Sequence, residues 1–248
     1  MKNKTRLTLK KVGAILTLLA ITSGNVKAED ELNNLGANIN ESFQEWGNPE
    51  FGDYLKEEFY KLPPYILDFI DENYMHIVIM ESKGGTESIY NNFYNKTVSS
   101  QNDSVGITIP DLFTSFIEGC LHSDFFKKEI KNYEKYNDEE FNKNFLKFNL
   151  IHEIGHLFDV YYNYQLSSSK EFKKIYKNEL NLFVNVDIFL ENIAYSKAYV
   201  YTKKEYFATV FACYFHNPTE LQINCPETYN YISSFINVLK LNYQSKNL

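Results

Sequence analysis

The sequence predicts an α+β fold, mostly helical with a small sheet, in a single compact domain. Three observations support this prediction. A long stretch from residue 138 and three later stretches carry apolar residues at helical spacing. Two short runs, over 75–80 and 105–110, have the apolar patterns typical of strands. The chain of 248 residues is ample for one hydrophobic core and short for two full-sized domains.

The first 28 residues differ in charge from the rest of the chain. They carry six basic groups and no acidic group, and Val12 to Thr22 is an uncharged, mostly apolar run. Val26, Lys27 and Ala28 form a small-x-small site of the kind that signal peptidase cuts. We therefore expect 1–28 to be a signal peptide, cleaved near Ala28, and the rest of the protein to be secreted. The apolar run is about half the roughly 20 residues needed to cross a bilayer, so no membrane span is expected.

The charge balance excludes one class of partner. Removal of the signal peptide takes away six of the 25 Lys and Arg and none of the 32 Asp and Glu, so the remaining net charge is 19 minus 32, or −13. An acidic protein repels the phosphate backbone of DNA and RNA. We therefore expect no nucleic-acid partner.

The first elements of the domain are expected before residue 81. Residues 29–50 are polar and rich in Asn, without a sustained period, which predicts a flexible leader. Over 53–73 apolar residues recur at helical spacing on both sides of Pro63 and Pro64, which predicts two short helices. Residues 75–80 are rich in β-branched side chains and precede a Ser-Lys-Gly-Gly turn, which predicts a strand.

The later elements are expected to be an edge strand and several helices. Residues 105–110 alternate in polarity and end at a proline, which predicts a half-exposed edge strand. Asp138 is the predicted N-cap of a long helix. Further helices are predicted over 169–182, 203–216 and 226–241, the last of which opens with a proline at a favoured first-turn position.

His152, Glu153 and His156 form a His-Glu-x-x-His pattern within the predicted long helix. Four residues at about 100° each place both imidazoles on one face, where they can bind one ion. Zinc favours imidazole nitrogen, and Glu153 is positioned to take a proton from a metal-bound water. The alternative is a core histidine and a surface carboxylate on an ordinary amphipathic helix. Gly155 costs a helix interior about 1 kcal/mol relative to alanine, which suggests that another backbone passes close to it.

A catalytic zinc ion takes three protein ligands and leaves one position for water. Glu205 is the only acid in an otherwise apolar helical stretch, where a buried carboxylate must be paired or metal-bound. It is the predicted third ligand, so we expect one Zn²⁺ per chain. The alternative role of Glu205 is a first-turn glutamate favoured by the helix dipole. The fallback ligands are Glu179, Asp187 and Glu191.

Three cysteines, Cys120, Cys213 and Cys225, are too few and too widely spaced for a disulfide framework. At most one bridge can form. Cys213 and Cys225 are the nearer pair, and burial as free thiols is the alternative for both.

Three segments of the chain resemble the anthrax-lethal-factor-like metalloproteases, and most nearly the secreted clostridial Pro-Pro endopeptidases. They are His152 to Asp159, Glu205 to Ala208 with its aromatic continuation, and Cys225 to Ile232. The resemblance implies a single compact, zincin-like metalloprotease domain over 51–248, mostly helical, with a small sheet whose edge strand flanks the zinc cleft.

The resemblance also implies roles for individual residues. His152, His156 and Glu205 would hold zinc, and Glu153 would be the general base. A tyrosine seven residues before the ligand glutamate stabilises the oxyanion in the family, but this chain has Ala198 there. Tyr199 is the preferred donor, because a one-residue deletion would account for the offset; Tyr201 and then Tyr195 follow. The family's second acid, four residues after the ligand glutamate, is replaced by Thr209, which weakens the expected support of a zinc-bound histidine.

The expected function is that of a secreted, zinc-dependent endopeptidase that acts on a protein or peptide substrate as a monomer. Two alternatives stay open at this point. One is a toxin-type protease that acts with a separate binding component. The other is a non-catalytic zinc-binding surface module, which the replaced acid at Thr209 and the shifted tyrosine motivate.

Overall fold

The computed structural model describes residues 42–46, 50–80, 106–110, 114–118, 139–185 and 200–247. Within these ranges the protein is mostly helical and has a four-stranded sheet, which confirms the predicted α+β class. No helix in the same ranges is both long and apolar enough to span a membrane.

Among the described elements, two helices lie between the first and second strands, and the other helices follow the last strand. The strands are β1 (Phe43–Trp46), β2 (His76–Met80), β3 (Gly106–Ile109) and β4 (Thr114–Glu118). The helices are α1 (Gly52–Tyr60), α2 (Pro64–Glu72), α3 (Glu139–Tyr161), α4 (Gln165–Ser168), α5 (Lys170–Asn185), α6 (Lys203–His216), α7 (Pro218–Asn224) and α8 (Pro226–Lys246). All the predicted helices are confirmed, and α6 has the predicted bounds. The proposed cap Asp138 lies outside the described residues.

The sheet has the order β1-β2-β4-β3. β1 and β4 pair with β2 in parallel, and β3 pairs with β4 in antiparallel orientation. The strand predicted over 105–110 is therefore confirmed at one end of this order. β4 was not predicted, because its first two residues, Thr114 and Ser115, are polar although both are buried.

β1 lies within the stretch that was predicted to be a flexible leader, and that prediction is wrong for residues 43–46. The ring of Phe43 is buried, with its centroid 5.2 Å from that of Phe59 on α1. The amide of Ile77 donates to the carbonyl of Ser42 at 2.8 Å as β1 and β2 begin to pair. Four residues are too few for an alternating apolar pattern to be recognised. This segment therefore forms a strand because it pairs with β2, and not because of its own sequence pattern.

Two helices form the centre of the core. α3 has buried side chains on all sides, and on α6 every residue from Tyr206 to Cys213 is buried. A helix that is buried all round carries no polar face, which is why neither sequence has a sharply one-sided apolar stripe. These two helices pack directly against each other and carry the candidate site.

Cys213 and Cys225 are free, buried thiols, which is the second of the two alternatives considered for them. Burial raises the pKa of Cys225 to about 12, so the thiol stays protonated at neutral pH. Burial also raises the pKa of Cys213. Both residues therefore act as small apolar side chains in the core.

Candidate metal centre

Three donor atoms meet where α3 packs against the first turn of α6. The Nε2 atoms of His152 and His156 lie 3.1 Å apart. Each of them lies 3.3 Å from Oε2 of Glu205. The structure therefore brings together the three residues predicted to be ligands, although 49 positions separate His156 from Glu205.

The spacing and chemistry of these atoms fit a zinc ion. Zinc with four ligands at about 2.0–2.1 Å in a tetrahedron holds neighbouring ligand atoms about 3.3 Å apart. The measured separations are 3.1 and 3.3 Å. Two imidazole nitrogens and one carboxylate oxygen are also a donor set used by catalytic zinc sites, which keep the fourth position for water.

Glu153 also lies near this cluster. Its carboxylate is within 4.8 Å of the donor nitrogens of His152 and His156. However, that carboxylate accepts a hydrogen bond of 2.7 Å from Thr108, whereas Glu205 is in closer contact with both histidines. The geometry therefore favours Glu205 as the third donor and leaves Glu153 beside the cluster.

Glu205 is placed by the start of α6. The hydroxyl of the N-cap residue Thr202 accepts a hydrogen bond from the amide of Glu205 at 3.2 Å. Glu205 therefore lies in the first turn, where the helix dipole favours a negative charge, as the alternative interpretation proposed. Its carboxylate nevertheless points to the two histidines, so the position and the proposed ligand role are compatible.

Glu205 and His156 stabilise each other's charges. Burial by itself raises the pKa of Glu205, but hydrogen bonds from His152 and His156 outweigh this effect and hold that pKa well below its usual range. Burial by itself lowers the pKa of His156, but the hydrogen bond with Glu205 and the nearby negative charges outweigh burial and raise this pKa above its ordinary value. The same electrostatic field that attracts a proton to this cluster would attract a metal cation.

Gly155 allows α3 and α6 to approach each other beside these donors. A Cβ added at Gly155 would lie 3.0 Å from Cα of Ala208 and 3.2 Å from Cβ of Phe211. Such distances are shorter than ordinary van der Waals contacts. The expectation that another backbone passes close to this glycine is therefore confirmed, and that backbone belongs to the helix that carries Glu205.

Thr209 contacts the ring nitrogen of His152 that does not face Glu205. Its hydroxyl oxygen lies 3.3 Å from Nδ1 of His152, and Thr209 is itself buried. When a metal takes the place of the Nε2 proton, the hydroxyl can accept the proton on Nδ1, so that the lone pair of Nε2 is directed to the metal. The replacement of an acid by Thr209 therefore removes a charge but keeps a hydrogen-bond acceptor.

The fallback ligand Glu179 is used elsewhere. Its carboxylate oxygens accept hydrogen bonds from the amides of Glu227 and Thr228, at 2.9 and 2.8 Å, in the first turn of α8. Glu179 therefore caps a helix rather than joining the histidines. The other fallback ligands, Asp187 and Glu191, lie outside the described residues.

The candidate oxyanion tyrosines are described only in part. Tyr199, the preferred residue, and Tyr195 lie outside the described residues. Tyr201 is exposed, and its main-chain carbonyl accepts a hydrogen bond of 2.6 Å from the hydroxyl of Tyr176. That bond ties the segment before α6 to α5.

Two residues of β3, Thr108 and Gly106, lie against Glu153, and neither was predicted to contact it. Thr108 donates its hydroxyl proton to Oε2 of Glu153, at 2.7 Å. A Cβ added at Gly106 would lie only 2.5 Å from Oε1 of the same carboxylate. The sequence predicts β3 as an edge strand, but no motif links its residues to Glu153 on α3, so this contact could not be predicted.

A comparison with known families agrees with this geometry. The model of the family described as "Anthrax toxin lethal factor, N- and C-terminal domain" matches residues 44–235. The match runs from β1 into α8 and includes the three donor residues and Glu153. No individual curated protein matches the chain. Because the matched segment covers well over half of the sequence, the chain belongs to the family of the anthrax toxin lethal factor N- and C-terminal domain.

Proposed function

We propose that this protein is a zinc-dependent endopeptidase in which His152, His156 and Glu205 hold one Zn²⁺ per chain. The observation that carries the proposal is the convergence of three donor atoms at 3.1–3.3 Å beside the carboxylate of Glu153. Membership of a toxin-related metalloprotease family supports it. The domain would then be zincin-like, with α3 as its active-site helix.

The proposed mechanism is hydrolysis of a peptide bond by water, and the residues of α3 and α6 have different roles in it. Zinc, when bound, supplies a Lewis acid that polarises the scissile carbonyl and makes water more acidic. Glu153 takes the proton of the attacking water on its carboxylate and passes it to the departing amine. His152, His156 and Glu205 bind the ion, and Thr209 keeps His152 in the tautomer that can do so.

The substrate is proposed to be an extended segment of a protein or peptide. Such a segment can extend a sheet by pairing with a strand at its end. β3 is that strand here, and its Thr108 touches Glu153. A substrate paired with β3 would therefore pass next to the general base and along the proposed zinc cleft.

A tyrosine is proposed to donate a hydrogen bond to the carbonyl oxygen as negative charge develops on it. Tyr199 is the first candidate, Tyr201 the second and Tyr195 the third. Loss of such a donor lowers turnover by about 10²-fold or more but leaves zinc affinity nearly unchanged. Single Phe substitutions at the three positions, compared on one cleaved peptide, identify the donor. Near wild-type turnover in all three variants would assign the role to another group.

The protein is further proposed to be a secreted monomer whose signal peptide, residues 1–28, is cleaved near Ala28. From the sequence, the domain is expected to start at residue 51. Because β1 pairs with β2, we propose that the domain starts before β1. N-terminal sequencing of protein collected from culture medium checks the cleavage site. Equilibrium sedimentation of the same material checks the monomer.

The peptidase proposal is tested with Glu153→Gln, which keeps the shape of the side chain and removes its basicity. We expect this variant to retain one zinc ion per chain but to lose cleavage of a peptide library that the wild type cuts in the absence of chelator. Glu179→Gln is the matched control, because it changes a buried glutamate of α5 that caps α8. Cleavage by Glu153→Gln at the wild-type rate would refute the role of the base.

Two alternatives give different results in these experiments. A toxin-type protease that acts with a separate binding component, which the toxin family suggests, would cleave peptides in vitro but act on cells only with that component added. A non-catalytic zinc-binding surface module would hold zinc in both wild type and Glu153→Gln and would cleave no peptide. The Thr209 contact with His152 weakens the argument for such a module, because that histidine keeps a supporting acceptor.

A further inference from the structure

Two strand hydroxyls lie beside the proposed general base. Thr108 of β3 and Ser115 of β4 are opposite each other in the antiparallel register, and their hydroxyl oxygens are 2.6 Å apart. The Thr108 oxygen is 2.7 Å from Oε2 of Glu153. The Ser115 side chain is fully buried, and its oxygen is also 3.3 Å from the main-chain carbonyl of Glu153.

The direction of these hydrogen bonds follows from the chemistry of the groups. Thr108 donates its hydroxyl proton to the carboxylate of Glu153. Because Thr108 then has no second proton, Ser115 is the donor in the short bond between the two hydroxyls, and its contact of 3.3 Å with the main-chain carbonyl of Glu153 is the longer branch of the same donor. The result is a chain of donors that runs from β4 through β3 to the carboxylate, and each bond in such a chain polarises the next.

Gly106 confines the carboxylate on its other side. An added Cβ there would lie 2.5 Å from Oε1 and 2.8 Å from Cγ of Glu153. One oxygen is thus held by a hydroxyl while the other lies against the main chain of β3. A long, rotatable glutamate side chain is held in one place by this arrangement.

We propose that Thr108, supported by Ser115, is a positioning residue that fixes the carboxylate of Glu153 in its reactive orientation. The inference rests on the proposed peptidase function. β3 is also the strand proposed to pair with the substrate, so one strand would align both the scissile bond and the base that acts on it. Misplacement of a reacting group by about 1 Å can cost on the order of 10²-fold in rate.

The test compares Thr108→Val, which keeps the shape but lacks the hydroxyl, with Thr108→Ser, which keeps the hydroxyl. We expect Thr108→Val to lower kcat by roughly 10- to 100-fold, with KM and zinc content close to wild type, because the main chain and the ligands are unchanged. Thr108→Ser should recover most of kcat. Equal loss in both variants, or a wild-type kcat in Thr108→Val, would overturn the proposal. Thr108→Ala replaces Thr108→Val if the valine variant does not fold.

Crystal structures of the zinc-soaked wild type and both variants form a second arm. They report the position of Glu153 whether or not any peptide is cut, so failure of the proposed function and failure of this inference are distinguishable. We expect the carboxylate to leave its place in Thr108→Val and to keep it in Thr108→Ser. An unchanged carboxylate in all three structures would contradict the positioning role.

Discussion

The hydroxyl oxygen of Thr209 lies 3.3 Å from Nδ1 of His152, on the opposite side of the ring from the nitrogen that faces Glu205. Groups that accept the second proton of a metal-bound histidine fix its tautomer and orientation, and their loss typically lowers metal affinity by about 10- to 100-fold. We therefore expect Thr209→Val to bind zinc at least roughly 10-fold more weakly than the wild type. Competition with a chromophoric chelator measures this affinity.

Thr209→Ser is the control for that experiment, because it keeps the acceptor and should bind zinc almost as tightly as the wild type. Equal affinities for Thr209→Val and the wild type would show that the hydroxyl does not support His152.

Glu205→Ala should reduce bound zinc from one ion per chain to a small fraction, because two histidines alone leave the ion without its third donor. Elemental analysis of the purified protein provides the measurement. Glu179→Ala is the matched control: loss of its two hydrogen bonds to α8 should lower the free energy of unfolding by about 2 kcal/mol while zinc stays at one per chain. Full zinc in Glu205→Ala would move the third ligand to Asp187 or Glu191.

Gly155→Ala should destabilise the protein and weaken zinc binding together. The new methyl group would press against the backbone of Ala208, and overpacking of this kind costs about 1–3 kcal/mol, partly offset by about 1 kcal/mol of better helix propensity. Any outward shift of α6 would also carry Glu205 away from the histidines. Urea denaturation and zinc titration measure the two effects.

Asn142→Ala controls for helix propensity, since Asn142 is a half-buried position on the same helix and should be neutral or slightly stabilising. A Gly155→Ala variant as stable as the wild type would mean that overpacking between the two helices costs no more than the gain in helix propensity.

Glu58 should make stability depend on acid pH. Its two carboxylate oxygens each lie 2.7 Å from a lysine nitrogen, of Lys61 and Lys147. Burial by itself raises the pKa of Glu58, but these lysines outweigh burial and lower it. A pKa that is lower in the folded state stabilises the fold above the unfolded value of about 4.3 and ceases to do so as the pH falls through the folded value.

Glu58→Gln should therefore lower the free energy of unfolding at neutral pH by about 1 kcal/mol, a small value because both lysines are partly exposed. The difference from the wild type should shrink as the pH falls below about 4. Urea denaturation across this pH range provides the measurement, and Asp53→Asn, an exposed acid at the start of α1, is the control. A difference that persists unchanged at low pH would contradict the role of the charge.

The longer helices of this fold could be predicted from sequence because their apolar spacing persists over several turns. The short helices α4 and α7, of four and seven residues, were not predicted, because such lengths are too short for a helical period to be recognised. α6 was predicted with both ends, and its start has a recognisable cap in Thr202. The missed strands are short and depend on partners. Ser115 of β4 is polar and would suggest a loop, yet its hydroxyl is satisfied inside the sheet by Thr108. That compensation exists only after β3 and β4 have paired.

The candidate site also contains residues that could be predicted from the sequence and residues that could not. His152 and His156 could be recognised because helical geometry alone places them on one face. Glu205 could be inferred because an acid in an apolar stretch requires a partner, although the partner is 49 residues away. Thr108 could not be inferred, since its contact with Glu153 depends on which strand lies against α3. Neither a motif nor a period encodes that arrangement.

The pairing of β1 with β2 determines how far the N-terminal region can be shortened before the protein aggregates. Among the strands that the structure describes, β1 is the one that pairs with β2 on the side away from β4. A shortened form that begins after Trp46 would expose the hydrogen-bonding groups of β2 along one side and would uncover Phe59. Unprotected edges of this kind pair with strands of other molecules. Trimming of the N-terminal region into β1 would therefore promote aggregation, even though every residue of the candidate metal centre would still be present.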